Sequence, residues 1–174
     1  MTNDFVFHNI SQKNMCFQDV FAHIQQFIKR NNKGTYRLMI GTDSQVHPRS
    51  TRFITGIVIR NVGHGAWGCL TKHEQPRRIE SLHEKISIET DLTEEVASLF
   101  TVDLKKQLYD LILPYVKEGS SLTIEGHIDI GMGERNKTKI YVDEMMNRIE
   151  VLGMKPLIKP DSIVASSYAN RFTK

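Results

Sequence analysis

The sequence predicts an α/β fold: a mixed five-stranded sheet with helices on its faces, preceded by an N-terminal helix. Three observations predict it. Apolar residues recur at helical spacing in some segments and alternate in others. The elements read in the order helix, three strands, helix, strand, helix, strand, helix, which is that of an α/β protein with a mixed sheet. No repeat, low-complexity tract or Pro/Ser-rich linker divides the 174 residues. A single domain is expected, with residues 1–34 as an N-terminal helical extension and residues 35–174 as the core.

Each element has a local reason. Phe17, Val20, Phe21, Ile24 and Ile28 predict a helix over 17–29, broken by Asn31-Asn32-Lys33-Gly34. Three runs then read as an antiparallel meander. They are 36–40, which continues into Gly41-Thr42-Asp43, then 53–59, then the weaker 66–70. Residues 81–113 read as a long helical segment ended by Pro114, with a candidate break at Thr90 to Thr93. Residues 121–130 alternate cleanly. Leu122, Ile124, Ile128 and Ile130 take one face, and Thr123, Glu125, His127 and Asp129 the other. Residues 137–152 predict a helix closed by Gly153. Residues 154–158 predict an edge strand, because Pro156 cannot donate to a ladder. Residues 163–172 predict a last helix.

Composition narrows the class. Lys plus Arg is 23 against 20 for Asp plus Glu, a formal charge of +3. That permits a nucleic-acid partner without demanding one. Cys16 and Cys69 form no metal-like pair and read as free thiols of a reducing compartment. The N-terminus has no signal-peptide pattern, and no apolar run reaches the roughly 18 residues of a membrane span. A cytoplasmic protein without a membrane partner is expected. Its oligomeric state is left open.

Phosphodiester cleavage commonly uses two divalent cations held by carboxylates from separate elements. Four acids fit that pattern. Asp43 continues a core strand, where a carboxylate is costly unless paired or metal-bound, although position alone favours an Asp that opens a turn. Asp129 ends the polar face of its strand; the alternative is an N-cap for the next helix. Glu89 falls within the apolar stripe of Leu82, Ile86, Thr93, Val96, Phe100 and Leu111, so it needs a partner; the alternatives to a metal are a salt bridge or a helix break that moves Glu89 outward. Asp161 follows Lys159-Pro160, where an N-cap is the simpler reading.

These residues resemble the YkuK-like family of ribonuclease H-like nucleases. The resemblance runs from about Arg37 to the C-terminus. It rests on Gly41-Thr42-Asp43-Ser44-Gln45, on His127-Ile128-Asp129-Ile130-Gly131 with Lys137-Thr138-Lys139, and on Lys159-Pro160-Asp161 with Ala165-Ser166-Ser167. It implies a ribonuclease H-like core and a metal-dependent nuclease acting on RNA, DNA or a hybrid. The implied cofactor is Mg²⁺ or Mn²⁺, with two ions possible. The implied ligands are Asp43, Glu89, Asp129 and an acid in the last segment. That acid is Asp161, unless Asn170 takes its place; the chain reads Ala169-Asn170-Arg171 where the family pattern carries Asp. Ser44, Gln45, His127, Lys137 and Lys139 are the implied substrate-binding residues.

Other readings compete. A non-catalytic nucleic-acid- or protein-binding module could retain the same fold. Residues 131–138 nearly match a phosphate-binding loop after a strand, with Asn136 in place of the second glycine. His64, Cys69, His73 and His83 carry no usual zinc spacing. His47 and His127 flank the acids and could carry a proton. Lys72, Arg77 and Arg78 are a short basic stretch, read as solvated charges.

Overall fold

A computed structural model of the chain describes residues 4–133, 135, 137–164 and 168–169. Helix α1 spans Phe17–Arg30 and buries Val20, Phe21, Ile24 and Ile28, the residues whose spacing announces it. Strands β1 (Thr35–Val46), β2 (Thr51–Asn61) and β3 (Gly65–Gln75) form an antiparallel meander. Helices α2 (Leu82–Ser98) and α3 (Val102–Ile112) follow, then a 3-10 segment, Leu113–Glu118. Strand β4 (Ser121–Gly131) leads through a 3-10 turn, Lys139–Tyr141, to helix α4 (Val142–Val151) and strand β5 (Lys155–Lys159).

The sheet order is β3-β2-β1-β4-β5. Strand β4 lies parallel to β1, and β5 parallel to β4, so the sheet is mixed. Tyr36, Leu38 and Ile40 of β1 and Leu122, Ile124, Ile128 and Ile130 of β4 face one core, shared with apolar residues of α1, α2, α3 and α4. The opposite face meets the C-terminal segment. There Val164 packs on Met39 and Val58, and Ala169 packs on Ile54 and Leu70. Tyr168 lies so close to the strands that a Cβ at Gly56 would come 2.7 Å from its ring. No helix among the described residues is long and apolar enough to cross a membrane. Both cysteines are free thiols, Cys16 exposed and Cys69 buried.

Several boundaries differ from expectation. Strand β1 does not end near Asp43 but runs on to Val46, so Asp43 pairs with Ile54 inside the ladder and opens no turn. The segment 81–113 is two helices, but the break is not at Thr90 to Thr93. Those threonines donate to Ile86 O and Glu89 O within α2, a bond that lets a threonine sit inside a helix. The chain breaks instead at Leu99 to Thr101, where Thr101 caps α3 by accepting from the Leu104 N–H. Leu111 therefore belongs to α3 and not to the stripe of Glu89. The helix expected from residue 137 starts only at Val142. The last helix expected over 163–172 lies largely outside the described residues.

Candidate functional site

The ladder between β1 and β4 stops early. It runs from Thr35–Ser121 to Gly41–His127, yet both strands continue, β1 along β2 to Val46 and β4 to Gly131. The β4–β5 register also shifts between His127 and Gly131. An opening thus forms at the C-terminal ends of two parallel strands, the usual place for a ligand in an open α/β sheet. Asp43 stands on its β1 side and Asp129 on its β4 side. Glu89 enters from α2. It lines a small crevice with Thr42, Thr90, Thr93, His127, Ile128 and Asp129.

A chain of hydroxyls fixes α2 here. Thr93 donates to Glu89 O, so its single proton is committed. Thr42 must then donate to Thr93 at 2.8 Å, and Thr55 to Thr42 at 2.8 Å. The Ser44 hydroxyl donates to Glu89 Oε1. Glu89 is only 4% exposed. Burial pushes its carboxyl up to about 8; Asp43 and Asp129 add to this, while Lys85 and the Ser44 hydroxyl oppose it. Burial and the Asp129 carboxylate push Asp43 up to about 6, against the Ser44 N–H, Lys85 and Lys159. Three acids from β1, α2 and β4 therefore feel one another.

Deeper on the Asp43 face lies a second polar group. Arg37 grips Glu125 with two bonds, Nε to Oε1 at 2.9 Å and Nη2 to Oε2 at 2.7 Å. Thr123 also donates to Oε1. The Val164 N–H donates to His127 Nδ1 at 3.1 Å, so the ring proton sits on Nε2, 2.9 Å from Glu125 Oε2. Burial alone would raise Glu125. The bonds from His127 and Arg37 outweigh it and hold the carboxyl down to about 2. This group clasps the C-terminal segment to the sheet. The sequence carried a partial signal for it, since Arg37 and Glu125 fall on the same polar face of neighbouring strands, where opposite charges pair.

The remaining candidates separate. Ser44 faces Glu89, not open solvent. His127, expected to meet substrate, is 1% exposed with both ring nitrogens engaged, so it presents none outward. Gln45 shares the Asp43 face, its Oε1 buried without a hydrogen-bond partner. Lys137 and Lys139 are exposed on the turn after β4. Asp161 is not brought to the acids: it is exposed on a turn, and it is Arg37 that feels its charge. Asn170 lies outside the described residues. Lys85 and Lys159 were not foreseen. Lys159 sits beside Asp129 although the register shift carries its backbone past that residue to pair with Gly131.

The competing motifs fare poorly. Among the described residues after Gly131 no α-helix opens until Val142, so the strand–loop–helix geometry of a phosphate loop is not found there. Thr138 Oγ1 instead accepts from the Gly131 N–H. Cys69 is buried in β3, and burial raises its thiol far above the usual range. His83 lies beside Glu144. Among the described residues, no three His, Cys, Asp or Glu side chains converge closely enough to hold a metal ion.

A family model described as Ribonuclease H-like matches residues 19–174. The chain belongs to the ribonuclease H-like family. Its sheet order and mixed strand directions are those of that fold. The chain is also 45% identical over 174 residues to the uncharacterized protein YkuK of Bacillus subtilis (strain 168), with both chains covered in full. The resemblance read from the strand motifs is therefore borne out at the level of the family. The family match begins inside α1, upstream of the expected core boundary at residue 35. No solved structure matches the chain.

Proposed function

We propose that this chain is a divalent-metal-dependent nuclease that hydrolyses phosphodiester bonds in RNA, DNA or a hybrid. One observation carries the reading: Asp43, Glu89 and Asp129 come from three separate elements to one opening of the sheet, with the first two pushed above the ordinary carboxylate range. Such a cluster is costly unless something relieves it. The donor set suits Mg²⁺ or Mn²⁺, because all three groups offer hard oxygens and the buried Asp129 Oδ1 has no hydrogen-bond donor, only the Lys159 ammonium as a charge partner. Asp43, Glu89 and Asp129 would hold the metal. When bound, a divalent metal supplies an activated water and polarises a phosphoryl oxygen. The chain contributes orientation: the Ser44 hydroxyl sets the Glu89 carboxyl, and the threonine chain sets the helix behind it. Membership of the ribonuclease H-like family supports a nucleic-acid substrate and a divalent metal.

The test is cleavage of labelled RNA, DNA and hybrid oligonucleotides in Mn²⁺. Asp43→Asn is expected to lower the rate by more than about 100-fold. Cleavage that survives this substitution sinks the assignment.

A second reading has its own observation. No preformed cage of three ligands exists among the described residues, which favours a binding module that retains the fold without catalysis. Calorimetry separates the two: a module would bind no Mn²⁺ at millimolar metal.

A further inference from the structure

Lys159 is the feature of this opening that neither the family nor the carboxylate pattern assigns. Its Nζ lies 2.9 Å from Asp129 Oδ1. The contact lacks hydrogen-bond geometry, since the same oxygen has no hydrogen-bond donor. It is therefore an ion pair held by charge alone. Its side chain is 44% exposed while Asp129 Oδ1 is buried, so the ammonium can swing into solvent as another cation takes its place on that oxygen. Its placement is specific nonetheless. Lys155 and Leu157 pair in register with Glu125 and His127, and the shift that follows delivers Lys159 opposite Gly131 at the mouth of the opening. From the helical side, Lys85 stands one turn before Glu89 on α2. Both ammonium groups act on the Asp43 carboxylate.

We propose that Lys159 is a substrate-binding residue that doubles as the built-in counter-cation of Asp129: it occupies that carboxylate until a divalent cation takes it, and its released ammonium then meets a phosphate of the bound strand. The inference rests on the nuclease reading of the same site. Two consequences follow from charge. Lys159 and the divalent cation compete for Asp129, so removing Lys159 tightens metal binding. The freed ammonium is one phosphate contact, so removing it weakens strand binding and flattens its salt dependence. Binding of metal before substrate is thereby favoured.

The test uses full-length protein and three variants: Lys159→Gln, Lys159→Arg and, as a control on the same strand, the exposed Lys155→Gln. Mn²⁺ binding is measured by calorimetry without nucleic acid. Lys159→Gln is expected to bind Mn²⁺ about fivefold more tightly, from the loss of one positive charge beside the metal. Lys159→Arg and Lys155→Gln should stay near the parent. Binding of hydrolysis-resistant phosphorothioate 12-mers, in RNA and DNA forms, is then followed by anisotropy in Mn²⁺ across a KCl series. Lys159→Gln should weaken it and reduce the magnitude of the log–log salt slope by roughly 0.7–0.9, one phosphate's share. Unchanged or weaker Mn²⁺ affinity in Lys159→Gln, or an unchanged salt slope, overturns the assignment. If the parent itself binds no Mn²⁺, the nuclease reading falls and takes this one with it. If the parent binds Mn²⁺ and cleaves while Lys159→Gln behaves identically, only the role of Lys159 falls.

Discussion

At the residue scale, Asp43 and Glu89 tie stability to pH in an unusual direction. Their ordinary values are 3.8 and 4.5, and the fold pushes them up to about 6 and about 8. Between those limits the folded chain holds protons that the unfolded chain has released. Stability rises with pH where the unfolded state binds more protons, so here it falls. Without metal, the loss starts near pH 4 and is complete only above about pH 8. Asp43→Asn keeps the shape and removes one ionisation. In EDTA it is expected to match the parent near pH 4 and exceed it at pH 8 by about 1–2 kcal/mol, a value discounted for solvent screening. Thermal melts across that range check this, and a variant less stable at pH 8 contradicts it. Glu89 was legible in the sequence because it interrupts an apolar stripe, and Asp129 because its strand alternates cleanly. Lys159 was not. Its neighbour depends on how β5 pairs with β4 across the intervening α4, and nothing in the local pattern encodes that pairing.

At the scale of elements, the hydroxyl chain from Thr55 through Thr42 to Thr93 locks α2 onto β1 and β2. Thr42→Val conserves volume but can neither donate to Thr93 nor accept from Thr55. It is expected to cost about 1–3 kcal/mol, because buried hydroxyls lose their partners. Urea unfolding measures the loss, and faster amide exchange around Glu89 would locate it in α2. A variant as stable as the parent would remove the lock from the account. Thr93 also explains a misplaced boundary. Thr93-Glu94-Glu95-Val96 reads as a fresh helix start when the local pattern is taken alone. In α2 Thr90 and Thr93 each satisfy a hydroxyl one turn back, so the helix runs through them to Ser98.

At the scale of the whole molecule, the order of elements was enough to anticipate the sheet, since short connections and parallel crossovers leave few alternatives. The sequence pattern did not say which layer each helix joins. Periodicity marks a buried face but not what buries it. Helices α1, α2, α3 and α4 contribute to one core, and the C-terminal segment meets the opposite face through Val164, Tyr168 and Ala169.

The early end of the β1–β4 ladder also has a kinetic side. The β1–β2–β3 meander is built from neighbouring strands. The β1–β4 pair forms only once β2, β3, α2 and α3 have been accommodated, and such distant contacts are slow to close. Asp43, Glu89 and Asp129 meet only at that closure, so their repulsion arises late on the folding route. At pH 8 in EDTA, Asp43→Asn is expected to slow unfolding several-fold while leaving refolding nearly unchanged. Stopped-flow chevrons resolve the two limbs, and an effect confined to refolding would place the meeting of the acids early instead.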